Sequence, residues 1–350
     1  MSNLISDIYS AKSEYNTRVK DKLGRTLSGN ALHNPLTPVV SEHLYKNGFA
    51  PEYPGRKNFC CCVSHDLDTL ITSTRSNKAF PVYRGGLKNT AYILWHEVKS
   101  QFRKQRTQIS QEMHPERVLA LADEMSFRSS YYTLALEAGE RDHNYNLNEV
   151  SDILIQILSQ GHEIGLHGGH EAYLSVKKLK EEKSRLTAHV PSVKGYRNHY
   201  LRFKVPHTWH YLREIGFEYD TSYGFHDCVG FRNGMCHPFR PFDLGRNAYI
   251  DLVVVPLVVM DSSLVKYMNL NFDDALEVVK GLIDKIKAVN GVFTILWHNT
   301  MFHGELLDFF KSVISYVQEQ DPWMATTGEL VDHFRSAGYL NEMEKILKLE

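Results

Sequence analysis

The chain has 350 residues, 43% hydrophobic and 23% charged, an ordinary globular composition with room for one large α/β domain or two smaller ones. Forty Lys and Arg against 41 Asp and Glu leave a formal net charge of −1, so no global field draws the protein to nucleic acid or to an anionic bilayer. No stretch approaches the roughly 18 apolar residues that a membrane-spanning helix requires.

Residues 1–57 read as a leader or extension with weak periodicity, loop-forming prolines (Pro35, Pro38, Pro51, Pro54) and no apolar core of a secretory signal. The expectation is a cytoplasmic protein. The pattern changes at Asn58. NFCCCVSHDLD (58–68) is a short apolar run closing in polar residues, as in a buried strand whose C-terminal end carries a site. Its three cysteines, with Cys228 and Cys236, show neither CxxC nor zinc-ribbon spacing, and neighbours on a strand point to opposite faces. They read as reduced thiols filling a core, which implies a reducing compartment.

A mixed segment follows, with a basic helix over 91–106, AYILWHEVKSQFRKQR. Its apolar Trp95, Val98 and Phe102 beside Lys99, Arg103, Lys104 and Arg106 would suit peripheral contact with a membrane surface, a lid or oligomer contact, or a solvated face packed on the core. Strands and helices then alternate. Residues 127–136 are β-rich, 148–160 form an amphipathic helix stopped at Gly161, 163–167 a strand and 171–189 a helical run full of Lys and Glu. Residues 193–200 look extended, 206–215 helical, 217–222 a strand and 252–259 a Val-rich strand. A helix over 273–289, a buried strand over 292–298 and two helices (305–318 and 327–337) bracketing a short PWMATT strand complete the pattern. A helical tail is expected over 338–350. Such alternation argues for a parallel sheet or barrel rather than a sandwich.

Polar residues collect where strands end, which in α/β barrels is the rim that carries the site. Asp66 and Asp68 are two apart on a strand and so face one side, where a shared cation or proton would relieve their repulsion. Pairs of acids at strand ends also serve as solvated turn or cap residues. In GHEIGLHGGHE (161–171), His167, His170 and Glu171 all suit a divalent metal, though His170 equally suits a helix cap. GYRNHY (195–200) brings Arg197, able to hold a carboxylate ionised or simply to sit in solvent. TILWHNT (294–300) delivers His298 and Asn299 from an apolar strand; such an imidazole can protonate a leaving amine or sit satisfied in a core.

These four segments, in this order, resemble the polysaccharide deacetylase family (NodB-homology, carbohydrate esterase 4). EYDTSYGF (218–225), GFRNGMCHPF (230–239) and VVPLVVMD (254–261) further resemble a branch found with bacterial surface-polysaccharide biosynthesis. The likeness runs from about residue 58 to 335. It implies an α/β fold, a distorted (β/α) barrel of about seven strands over 58–337. It also implies a metal-dependent hydrolase that removes an N-acetyl group from a sugar or glycan precursor.

By motif position Asp66 resembles the catalytic base, Arg197 the arginine that orients it, and His298 the acid. Asp68 and His167 resemble metal ligands, with His170 or Glu171 completing the set. His65, His199, Tyr200 and Asn299 are expected to meet substrate. Nitrogen and oxygen donors without thiolate fit Zn²⁺ first and leave Mn²⁺, Co²⁺ and Ni²⁺ open. Two departures stand out: Leu67 separates the two acids, and Glu171 occupies the position of the family's second histidine. Two other readings remain at this point, a catalytically inactive binding protein of the same fold and a haloacid-dehalogenase-type phosphatase using DLDTL (66–70).

Overall fold

The computed structural model describes residues 3–15, 17–72, 108–109 and 115–349. The basic helix expected over 91–106 lies outside the described residues. Thirteen strands are present among them: β1 (Cys60–Leu67), β2 (Ile71–Thr72), β3 (Gln108–Ile109), β4 (Ser129–Leu134), β5 (Glu163–Gly168), β6 (Gly195–Asn198), β7 (Tyr219–Asp220), β8 (Phe242–Asp243), β9 (Ala248–Tyr249), β10 (Val253–Val254), β11 (Val259–Met260), β12 (Val292–Leu296) and β13 (Trp323–Met324).

Nine of these form one sheet in the order β10-β7-β6-β5-β4-β1-β12-β11, with β13 also paired to β1. Every strand pair in it is parallel. Helices Pro115–Glu124, Ser151–Ser159, Val176–Thr187, His207–Glu214, Phe272–Lys287 and Gly304–Glu319 make crossovers between strands, as parallel pairing demands. β1 is buried along its whole length, the condition of a parallel strand covered on both faces. It lies inside the sheet between β4 and β12 and leads into the first acidic motif.

The Val-rich run over 252–259, expected as one strand, is two. Pro256 cannot donate to a ladder, and it separates β10 from β11, which lie at opposite ends of the strand order. Five residues of chain reach at most about 17 Å, so the two ends of the sheet must approach each other. The sheet therefore curls into a half-barrel, an α/β arrangement close to the seven-stranded distorted barrel expected.

Tyrosine rings pack inside this curl against glycines. A Cβ on Gly165 would lie 2.6 Å from the Tyr132 ring, and one on Gly195 would lie 2.1 Å from that of Tyr219. Cys60, Cys61 and Cys62 are free and buried, with the Cys60 and Cys62 sulfurs 3.9 Å apart. They fill the core as small apolar groups. Burial pushes the Cys60 and Cys61 thiols well above their usual range.

The stretch before residue 58 packs into the same core through Ile8, Tyr9, Val40, Leu44, Phe49 and Tyr53. Glu14 reaches the buried Arg232, accepting from its Nε at 2.8 Å. The tail forms a helix, Tyr339–Leu347, that buries Leu340, Met343 and Leu347. No helix among the described residues is long and apolar enough to cross a membrane.

Candidate metal centre

The C-terminal ends of β6 and β5, and across β4 those of β1, β12 and β11, each deliver a polar group to one rim. At the end of β1 the two-residue period puts Asp66, and Asp68 just past the strand, on one side. Asp66 is buried and accepts from Arg197 Nη1 at 2.8 Å. Arg197, on β6, also donates from Nε to the Thr221 carbonyl at 3.3 Å and from Nη2 to the Thr221 hydroxyl. Its guanidinium lies 4.3 Å from the Tyr132 ring centroid. Three donated bonds and a π-face make this buried cation tolerable, and they hold the Asp66 carboxylate in one orientation.

β5 ends at His167. Its Nδ1 lies 3.1 Å from the Arg197 carbonyl; a carbonyl only accepts, so the proton sits on Nδ1 and the Nε2 lone pair is free. Nε2 points at the acids, 3.0 Å from Asp68 Oδ1 and 3.6 Å from Asp66 Oδ2. A second imidazole arrives from the turn after β6, with His199 Nε2 3.6 Å from Asp68 Oδ2. One donor atom from each of Asp68, His167 and His199 lies within 4.8 Å of the others. With the proton on Nδ1, His167 Nε2 and Asp68 Oδ1 are two buried acceptors that face each other with no hydrogen between them. Orphaned buried polar atoms are costly and call for an explanation. A divalent cation fits these: two imidazole nitrogens and a carboxylate make the three-ligand set of a catalytic zinc site that keeps a position open. Burial opposes ionisation of Asp68, but His199 and His167 outweigh it and hold the carboxyl well below its ordinary range. Burial likewise disfavours the His167 imidazolium, and Asp66 and Asp68 overcome it, raising its pKa.

On the other flank His298 follows β12. Its Nδ1 lies 2.8 Å from Asp261 Oδ1, its backbone N–H donates to Asp261 Oδ2 at 2.6 Å, and its Nε2 is 3.7 Å from Asp68 Oδ2. Burial works against the imidazolium, yet Asp261 first, then Asp68 and Asp66, push its pKa up to about 10. Asp261 ends the Val-rich stretch immediately after β11 and is fully buried. It was not singled out as a site residue in the sequence, although an acid closing an apolar run was the available signal.

The remaining candidates fall in other places. His170 and Glu171 lie outside the group of three. His170 Nδ1 is 3.4 Å from Asp142 Oδ2 and its Nε2 3.4 Å from Glu171. Glu171 has 46% of its side chain exposed and pairs with Arg202 at 2.9 Å. The second imidazole beside Asp68 and His167 is thus His199, expected at substrate. Its ring stacks on that of Tyr200 at 3.8 Å. Asn299 is buried and donates to the Thr69 carbonyl at 2.8 Å. His65, expected to meet substrate, is placed away from the group of three. Odd in register with Asp66 and Asp68, it faces the other side of β1, with 0% exposure, among Tyr131, Phe302 and Phe310. Its Nδ1 bonds the Trp297 carbonyl at 2.9 Å, and burial pulls its pKa down to about 3, so it stays neutral.

The half-barrel is a fold that this chain shares with a solved structure. A Mycobacterium smegmatis structure, provisionally assigned as a polysaccharide deacetylase, aligns with 83% of this chain and 94% of its own at TM-score 0.56 and 16% identity. A Bacillus cereus polysaccharide deacetylase aligns over 77% of this chain and 92% of its own at 0.40 and 12%. A Bordetella bronchiseptica protein, provisionally assigned as a polysaccharide deacetylase involved in O-antigen biosynthesis, aligns over 83% and 93% at 0.40 and 13%. At these identities the first likeness establishes the fold and no more. No protein-family model matches the chain, and no curated protein matches it.

Proposed function

We propose that this protein is a metal-dependent carbohydrate deacetylase that hydrolyses an N-acetyl group on a sugar or glycan precursor, releasing acetate and a free amine. The observation that carries the reading is the Asp68–His167–His199 group with its orphaned donor atoms, flanked by Asp66 on one side and His298 on the other. A divalent ion, Zn²⁺ first among those the donors suit, would supply Lewis acidity toward water and the acyl oxygen when bound there.

The chain's own groups then divide the proton transfers. Asp66, held by Arg197, takes a proton from the attacking water as its oxygen bonds to the acyl carbon. His298 enters protonated, because Asp261 favours the imidazolium, and gives that proton to the departing nitrogen as the C–N bond breaks. Arg197 also fixes the Asp66 carboxylate by its Nη1 bond at 2.8 Å, and Asp261 fixes the His298 ring so that Nε2 faces the reaction. One water is consumed, and both protons are accounted for.

The test is acetate release from a panel of nucleotide-linked, lipid-linked and polymeric N-acetyl sugars, run beside metal quantitation. We expect stoichiometric metal in the wild type, loss of that metal in Asp68→Asn, and retained metal with turnover reduced by about 10²–10⁴ in His298→Ala. Full activity in His298→Ala, or no stoichiometric metal in the wild type, contradicts the reading.

A further inference from the structure

The turn that carries His199 is held from outside the barrel. Tyr200 and Leu201 have φ of 62° and 54°, successive left-handed conformations that residues other than glycine adopt only under strain. This reversal lays the Tyr200 ring nearly parallel to the His199 imidazole, with an interplanar angle of 8°. Strain of this kind persists only where the surroundings over-determine it. The His199 carbonyl is tied locally, by Asn198 Nδ2 at 2.9 Å and the Arg202 N–H at 3.4 Å. Among the described residues, the hydrogen bond to the Tyr200 carbonyl comes from Arg25 Nη1, at 3.2 Å.

Arg25 belongs to the segment before the barrel strands and is buried at 6% exposure. Its Nε donates to Asp21 Oδ2 at 2.8 Å, and its Nη2 donates to the Tyr267 hydroxyl at 3.1 Å. Asp21 is itself fixed, accepting from the Leu23 and Arg25 backbone N–H groups at 2.9 and 2.8 Å. With its donors committed and little surface exposed, Arg25 is built to hold protein rather than to meet a ligand. We infer that Arg25 is a positioning residue of the metal centre: it braces the left-handed turn at Tyr200 and so presents His199 to the ion. The inference rests on the metal-binding reading of Asp68, His167 and His199.

Arg25→Lys keeps a charge beside Asp21 but cannot span Asp21, the Tyr200 carbonyl and the Tyr267 hydroxyl together. Arg25→Ala removes all three contacts. Tyr9→Phe is the control, removing an anchor of the same segment at the distant Arg240 carbonyl. Each variant is followed by thermal melting, Zn²⁺ titration and histidine-ring NMR of the metal-free full chain, with the His199 signal assigned by its loss in His199→Asn. We expect Arg25→Lys to shift the His199 resonance and weaken Zn²⁺ binding by about tenfold, and Arg25→Ala to do more. Tyr9→Phe should leave both unchanged whatever it does to Tm. An unmoved His199 resonance in both Arg25 variants overturns the inference, as does an equal change in Tyr9→Phe. Should the wild type bind no Zn²⁺, the resonance decides alone. A shift confined to the Arg25 variants then upholds the brace while the metal reading fails.

Discussion

His199 and His170 compete on paper for one role, and their surroundings separate them. His199 Nε2 faces Asp68, whereas His170 sits between Asp142 and Glu171 with its carbonyl held by Arg202 Nη1 at 2.7 Å. His199→Ala is therefore expected to lower metal affinity by more than about 100-fold, beyond the usual effect of an outer partner. His170→Ala should change it by less than about tenfold. Isothermal titration of both variants with Zn²⁺ checks this, and the reverse ranking would move the proposed centre to the 170–171 loop. Asp66, Asp68, His167, Arg197 and His298 were readable as a converging set because strand periodicity and strand ends are written locally. The placement of His199 was not, since it depends on a left-handed turn at Tyr200 that no periodic pattern encodes. His65 neighbours the acids in sequence but faces the opposite side of the strand, among Tyr131, Phe302 and Phe310.

Among the elements, helix Val176–Thr187 reads as a run of Lys and Glu, and most of those charges are solvated. Glu182 is not. It turns inward under the 168–170 loop, and its carboxylate accepts from the Gly169 N–H at 2.8 Å. Burial pushes its pKa up to about 7 from an ordinary 4.5, with the Gly169 bond opposing. Below pH 4.5 folded and unfolded chains both hold the proton, and Glu182 imposes no electrostatic penalty. Between 4.5 and 7 the unfolded chain ionises first, so stability falls as pH rises; above 7 the penalty is complete, about 3 kcal/mol. Glu182→Gln keeps an acceptor for Gly169 without the charge. It should raise Tm at pH 8 and leave it nearly unchanged at pH 4, and equal gains at both would refute the assignment. Element boundaries were legible where caps are explicit, as at helix Phe272–Lys287, whose Asn271 side chain accepts from the Asp274 N–H. The division of 252–259 was less legible, because valines favour a strand on either side of Pro256 and only closure of the sheet requires two.

At the scale of the whole molecule, the alternation of strands and helices was enough to anticipate a curled parallel sheet, and the polar strand ends mark the rim at which the proposed centre lies. The packing of residues 3–57 was not legible. Tyr9, Phe49 and Tyr53 enter the core singly, from segments too short to show a period. The folded chain brings the proposed ligands from β1, β5 and the turn after β6, and the unfolded chain has no such site. A metal bound at the proposed centre would therefore stabilise the fold by mass action, by about 2.7 kcal/mol at a hundredfold excess over Kd. Chelation should lower Tm reversibly in the wild type and have little effect in Asp68→Asn, as differential scanning calorimetry would show.

The most direct measurement is anomalous diffraction at the zinc edge from crystals of metal-replete protein. One peak is expected, bounded by Asp68, His167 and His199 and within reach of neither His170 nor Glu171. A peak in the 170–171 loop, or none at any of these residues, would contradict the proposed centre and the hydrolase built on it.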